Sequence, residues 1–165
     1  MMRYVLVTAL TLAATPLLAQ SDGEVQSPSN FDAARATVEL RALELDTNKD
    51  GVINRPELTA AATAAFPIYD ADASGDIDVV EFKTAPFGFS DMASFRGREQ
   101  AYDAAFGLVF DLFDRDEDGR LNEEDFLTSI DRAFNYADID SDDALTNDEF
   151  LRGFITNVAL RHAMR

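Results

Sequence analysis

Residues 46–57 read DTNKDGVINRPE. Oxygen-bearing side chains stand at Asp46, Asn48, Asp50 and Asn54, Gly51 sits in the middle, and Glu57 closes the stretch. The same template returns three times, as DADASGDIDVVE at 70–81, DRDEDGRLNEED at 114–125 and DIDSDDALTNDE at 138–149. Each copy is followed at once by an apolar residue: Leu58, Phe82, Phe126 or Phe150. Three copies have an aromatic four residues upstream, at Phe66, Phe110 and Phe134. Repetition in register marks a structural unit used more than once. The copies begin 24, 44 and 24 residues apart, so they form two closely spaced pairs.

The alternation is what a hard divalent cation asks of a short loop. Calcium takes roughly six to eight oxygen ligands at about 2.3–2.6 Å. Side chains at positions 1, 3 and 5 point inward as the chain curls. Position 7 offers its carbonyl, position 9 often acts through water, and position 12 reaches back with a carboxylate. The curl needs a positive φ at position 6, which glycine adopts without steric cost.

The four segments resemble EF-hand calcium loops. The chain resembles the calmodulin-like EF-hand family in its exported bacterial forms, over about residues 35–160. Each copy carries an acid at position 12 and an aliphatic residue at position 8: Ile53, Ile77, Leu121 and Leu145. The resemblance implies an all-α fold of four helix-loop-helix motifs, with short β contacts between loops, in a domain spanning 31–165. It implies up to four calcium ions. Loop 1 would use Asp46, Asn48, Asp50, Asn54 and Glu57, with the carbonyl of Val52. Loop 2 would use Asp70, Asp72, Ser74, Asp78 and Glu81, with the carbonyl of Asp76. Loop 3 would use Asp114, Asp116, Asp118, Asn122 and Asp125, with the carbonyl of Arg120. Loop 4 would use Asp138, Asp140, Asp142, Thr146 and Glu149, with the carbonyl of Ala144.

Two loops depart from the pattern. Asp125 stands where the family has Glu and is one methylene shorter. A lower coordination number suits magnesium better than calcium, so loop 114–125 is expected to be a weaker or mixed Ca²⁺/Mg²⁺ site. Asp143 stands at position 6 in place of glycine. A left-handed residue with a side chain costs on the order of 1 kcal/mol, and Asp tolerates it better than most.

Composition narrows the function. The chain has 14 basic and 31 acidic residues, a net charge of −17. Such a chain repels nucleic acid and anionic membrane and attracts cations. It has no cysteine and one histidine, His162, three residues from the end. There is no thiol nucleophile, Gly-rich phosphate loop or zinc-type cluster, so no enzyme is expected. The opening MMRYVLVTALTLAATPLLAQ reads as a signal peptide over 1–19, cut after Ala19. Its apolar run is shorter than the about 20 residues a membrane span needs. This predicts a periplasmic or secreted protein with no membrane span after cleavage. Loss of those nineteen residues, which hold one Arg and no acid, takes the charge to −18. Residues 20–30 read as a flexible leader.

Helical periodicity is expected over 31–45, with Asn30 as N-cap, over 98–113, and from about Asn147 to His162. The stretch 83–100, broken by Pro86 and Gly88, reads as an irregular linker. Only twelve residues (58–69) separate loops 1 and 2, and twelve (126–137) separate loops 3 and 4. Twelve residues make one helix of about 18 Å, and a straight helix would hold its two loops apart. Two arrangements remain open. Pro67 breaks the first connector and lets loops 1 and 2 meet, or the halves interleave and each loop pairs with one from the other half.

The role of the calcium also stays open here. Nine phenylalanines (66, 82, 106, 110, 113, 126, 134, 150 and 154) supply the apolar payload, and only Met92 and Met164 lie beyond the leader. Rigid Phe favours a closed buffering or structural protein, a monomer whose partner is calcium itself. Adaptable Met-rich grooves mark promiscuous sensors. Against the closed reading, Phe87, Phe89 and Phe95 in the linker either cap the core or offer a surface to a protein partner.

Overall fold

The computed structural model describes residues 29–85 and 87–165. The expected signal peptide, and the leader apart from its last two residues, lie outside the described residues. The elements run α1 (Asn30–Leu45), β1 (Ile53–Asn54), α2 (Arg55–Tyr69), β2 (Asp76–Asp78), α3 (Val79–Thr84) and α4 (Phe89–Phe95). They continue as α5 (Glu99–Phe113), β3 (Arg120–Asn122), α6 (Glu123–Ala137), β4 (Ala144–Leu145), α7 (Asn147–Gly153) and α8 (Ile155–Ala163). The fold is all-α, with the strands confined to the loops.

Each connector is one helix. α2 runs unbroken from loop 1 to loop 2, with Pro67 inside its last turn. α6 does the same between loops 3 and 4. Fifteen residues give each a length of about 22 Å, so the loops at the two ends of one helix do not meet. The halves interleave instead. β1 pairs antiparallel with β4, Ile53 opposite Leu145. β2 pairs antiparallel with β3, Ile77 opposite Leu121. Loop 1 therefore pairs with loop 4, and loop 2 with loop 3, in nested order. All four position-8 aliphatics are fully buried in these ladders.

The core lies between the helices and is rich in phenylalanine. All nine phenylalanines named above are buried. Phe82 on α3 meets Phe106, Phe110 and Phe113 on α5 at ring distances of 6.4, 5.7 and 5.8 Å. Phe66 and Tyr69 on α2 meet Phe126 on α6 at 5.9 and 5.3 Å, which ties the two halves together. Offset and edge-on arrangements of this kind suit the ring quadrupole.

Three local expectations need correction. Ser29, not Asn30, caps α1, its hydroxyl accepting from the Asp32 N–H at 3.1 Å. The last helix is two helices. Gly153 packs against Ala137 so closely that a Cβ there would lie 2.8 Å from the Ala137 Cα. The chain then turns extended at Phe154, with ψ 123°. The linker is not wholly irregular, because Gly88, left-handed at φ 77°, starts the short helix α4. Phe87 and Phe89 turn inward, Phe87 against Tyr69 at 5.1 Å and Phe89 against Phe106 at 6.3 Å. Phe95 stays exposed.

Two outcomes are expected. Fragments 29–97 and 98–165 each lack a partner for both of their strands, so neither melts cooperatively alone, while an equimolar mixture does. Circular dichroism melts of the two fragments and the mixture check this. Gly153→Ala forces Ala137 away and is expected to lower unfolding stability by about 1–3 kcal/mol in urea titration.

Candidate metal centres

The four loops share one backbone frame. The first aspartate of each grips the turn with both oxygens. Asp46 accepts from the N–H groups of Asp50 (3.1 Å) and Gly51 (2.9 Å). Asp70 accepts from Ser74 (2.9 Å) and Gly75 (3.0 Å). Asp114 accepts from Asp118 (3.2 Å) and Gly119 (2.8 Å). Asp138 accepts from Asp142 (3.2 Å) and Asp143 (3.1 Å). The curl places position 6 in the left-handed region in every loop, at Gly51, Gly75, Gly119 and Asp143. Position 4 is left-handed too, at Lys49, Ala73, Glu117 and Ser141.

The closing glutamate spans the loop. Glu57 accepts from the N–H groups of Thr47 (2.9 Å) and Asn48 (3.0 Å) with one oxygen, and from that of Asn54 (3.1 Å) with the other. Glu81 repeats this with Ala71 (3.0 Å), Asp72 (3.2 Å) and Asp78 (3.0 Å). Glu149 accepts from the N–H groups of Ile139 (3.0 Å) and Thr146 (2.9 Å). Positions 9 and 12 also form a reciprocal capping box on the exit helix in loops 1, 2 and 4. The capping motif is visible in the sequence as N-x-x-E, D-x-x-E and T-x-x-E, so these residues serve the helix start as well as being candidate ligands.

Loop 3 is different. The Asp125 carboxylate takes its bond from the Asn122 side-chain amide at 2.5 Å and does not reach positions 115 or 116. Three clusters of carboxylates bring their oxygens to within 4.8 Å of one another: Asp70, Asp72 and Glu81; Asp114, Asp116 and Asp118; Asp138, Asp140 and Glu149. The loop 3 cluster forms without its position-12 acid. In loop 1, Asn48 occupies position 3 and its amide donates to Asp50 at 2.8 Å. In loop 2, the Ser74 hydroxyl donates to the Asp76 carbonyl at 3.0 Å, so two of the sequence-assigned donors hold each other.

This chemistry suits a hard cation. The candidate donors are carboxylate, amide, hydroxyl and carbonyl oxygens, with no sulfur or imidazole among them. The pKa of Asp140 lies above the ordinary value. Burial contributes most, and Asp142, Glu149 and Asp138 add repulsion. A site that holds a proton more tightly for this reason gains from a bound cation. Glu149 lies below its ordinary value, held there first by the Thr146 hydroxyl and then by backbone N–H groups. Burial pushes Glu57 up, but the N–H groups of Asn54, Asn48 and Thr47, with the Thr47 hydroxyl, outweigh it and leave its pKa lowered.

Arg55, which no sequence motif singles out, joins two loops. It follows Asn54 and reaches Asp143 of loop 4 with Nε at 2.8 Å and Nη2 at 2.7 Å. It also donates to Asp131 and, at 2.9 Å, to Asn135, both on α6. No spacing rule would have found it, because the partners are more than seventy residues away.

With this geometry in place, the likeness to known proteins is informative. The profile of the EF hand family matches residues 43–60 and 107–128, which contain loops 1 and 3. A calcium and calcium/calmodulin-dependent serine/threonine-protein kinase of Oryza sativa subsp. japonica is 25% identical over 162 residues. The likeness takes in 87% of this chain, which spans only 27% of that kinase. The matches support placement in the EF-hand superfamily, the all-α EF-hand fold and calcium binding. Among the described residues, no helix is long and apolar enough to cross a membrane.

A carboxyl whose folded pKa lies below its unfolded one adds stability that is complete above the unfolded value. That stability fades as pH falls through the folded value. Glu57 and Glu149, with an ordinary value of 4.5, belong to this class. In chelator, the contribution of these two groups to the urea midpoint is expected to fade as pH drops below about 4.5. Glu57→Gln is expected to flatten that dependence, which denaturation at a series of pH values reads directly.

Proposed function

We propose that the protein binds up to four calcium ions reversibly, as a calcium-stabilised buffering or structural protein acting in the periplasm or outside the cell. The observation that carries this reading is one backbone turn repeated in four loops, three of which bring carboxylate oxygens within 4.8 Å of one another. The residues would hold the ion as the sequence assigns them: side chains at positions 1, 3, 5, 9 and 12, and the position-7 carbonyls of Val52, Asp76, Arg120 and Ala144. Bound calcium supplies the positive charge that cancels the repulsion among these carboxylates. The chain's own work is to orient them. The first aspartate sets the turn, the glutamate ties the loop's start to its end, and the exit helix cap holds that glutamate in place. In loop 3 the Asp125 carboxylate stays beside Asn122, which supports a weaker site that magnesium shares.

The closed reading draws support from the core. All nine named phenylalanines are buried, and the apolar space of about 90 Å³ between α1, α2, α6 and α7 is lined by the protein's own Phe87 and Phe89. Export, which a leader would direct, places the protein where calcium is abundant enough for sites of about 10⁻⁴–10⁻³ M to fill.

A sensor reading has one observation in its favour. A cavity of about 300 Å³ lined by Leu112, Phe113, Ala133, Tyr136 and Ile155 opens between α5 and α6, with Leu112 59% and Tyr136 78% exposed. A calcium titration with a dye for exposed apolar surface, in millimolar magnesium, separates the readings. Dye fluorescence that stays flat or falls while the melting temperature rises fits the closed protein. Fluorescence that rises as calcium fills the sites fits the sensor. Equal melting in chelator and in calcium contradicts both. Asp125→Glu is expected to tighten loop 3 for calcium by about tenfold, read by calorimetry against magnesium.

A further inference from the structure

We propose that Arg55 is a positioning residue for loop 4: it coordinates nothing itself, but pins Asp143 in the left-handed conformation that the loop's curl requires. The proposal rests on the reading of residues 138–149 as a calcium site.

Position 6 has φ 91° at Gly51, 96° at Gly75 and 82° at Gly119, and 66° at Asp143. Only Asp143 carries a side chain that opposes this conformation. Its N–H is needed where it stands, because it donates to Asp138, the first residue of the loop, at 3.1 Å. If Asp143 relaxed to negative φ, that bond would break and Asp138 would lose its orientation.

The carboxylate of Asp143 is where the restraint acts. Nε and Nη2 of Arg55 both meet its Oδ1, at 2.8 and 2.7 Å. An isolated exposed ion pair would contribute little, and Asp143 is exposed. Arg55 is not isolated. Its guanidinium lies 4.3 Å from the centre of the buried Phe134 ring and is bonded to Asp131 and Asn135 on the same helix, α6. The group is therefore held from three sides before it meets Asp143. The planar fork of arginine serves this many partners where a lysine ammonium would not. Because Arg55 directly follows β1, the restraint on loop 4 comes from the exit of loop 1, beside the β1–β4 ladder.

Charge alone argues the opposite sign. A cation beside a calcium site repels the ion, so if Arg55 acted only through its charge, removing it would tighten loop 4. The positioning role requires that removal weakens loop 4, and that glycine at 143 makes Arg55 dispensable.

The test is a calcium titration of the ¹⁵N-labelled full chain. The backbone amides at positions 51, 75, 119 and 143 each donate to the first aspartate of one loop and so report each loop separately. Arg55→Ala is expected to raise the half-saturation concentration at position 143 by about fivefold relative to position 75, the control in the other ladder. Asp143→Gly alone and Arg55→Ala/Asp143→Gly are expected to agree within about twofold. Three results would overturn the assignment alone: an unchanged or tighter loop 4 in Arg55→Ala, equal weakening at positions 75 and 143, or a double variant as weak as Arg55→Ala. The last two would mean that Arg55 merely stabilises the α2–α6 contact. A wild-type amide at 143 indifferent to calcium while the others respond would overturn the reading of loop 4 as a site, and this assignment with it.

Discussion

One helix cannot bring its own two ends together, and the architecture follows from that constraint. α2 and α6 each serve two loops, as the exit helix of one and the entering helix of the next. At about 22 Å, each holds its loops apart. Yet every loop presents an aliphatic residue at position 8 that must leave water. Burial of an Ile or Leu side chain is worth about 1.5–3 kcal/mol, and the strands that pair with these four lie in the other half of the chain. Nested pairing, Ile53 with Leu145 and Ile77 with Leu121, is how the chain meets that demand. It makes one interdependent unit of what the sequence spacing divides into two pairs. The Phe66, Tyr69 and Phe126 contacts between α2 and α6 form the seam.

Within each loop a second constraint operates at shorter range. The donors are anionic and crowded, so something other than their own attraction must hold them in place. Backbone N–H groups do this. The first aspartate is held by positions 5 and 6, and the last glutamate by positions 2, 3 and 9 in loops 1 and 2. The loops are thus set in shape by hydrogen bonds to charged groups, each worth about 1.5–3 kcal/mol. Loop 3 shows the limit of the device. Aspartate is too short to cross, and the Asp125 carboxylate remains at the helix cap with Asn122.

The parts legible in the sequence were those set by local chemistry. Loop boundaries, the position-8 aliphatics and the glycine turns follow from spacing within twelve residues, and the departure at Asp125 follows from side-chain length. The connectors were legible as a conflict rather than an answer, since twelve residues are too few for two helices but do not say which loops meet. What was not legible depends on distant neighbours. The break at Phe154 needs the approach of Gly153 to Ala137. Arg55 finds Asp131, Asn135 and Asp143 only once the halves have interleaved. The left-handed residues at position 4 have varied side chains, Lys, Ala, Glu and Ser, so residue type there carried no signal.

We propose that four loops, joined crosswise, each hold a calcium ion. Isothermal titration calorimetry of the protein without residues 1–19, starting from the chelator-stripped form, tests it most directly. About four calcium equivalents per chain are expected, with the loop 3 step the weakest. Saturation at two equivalents or fewer would contradict it.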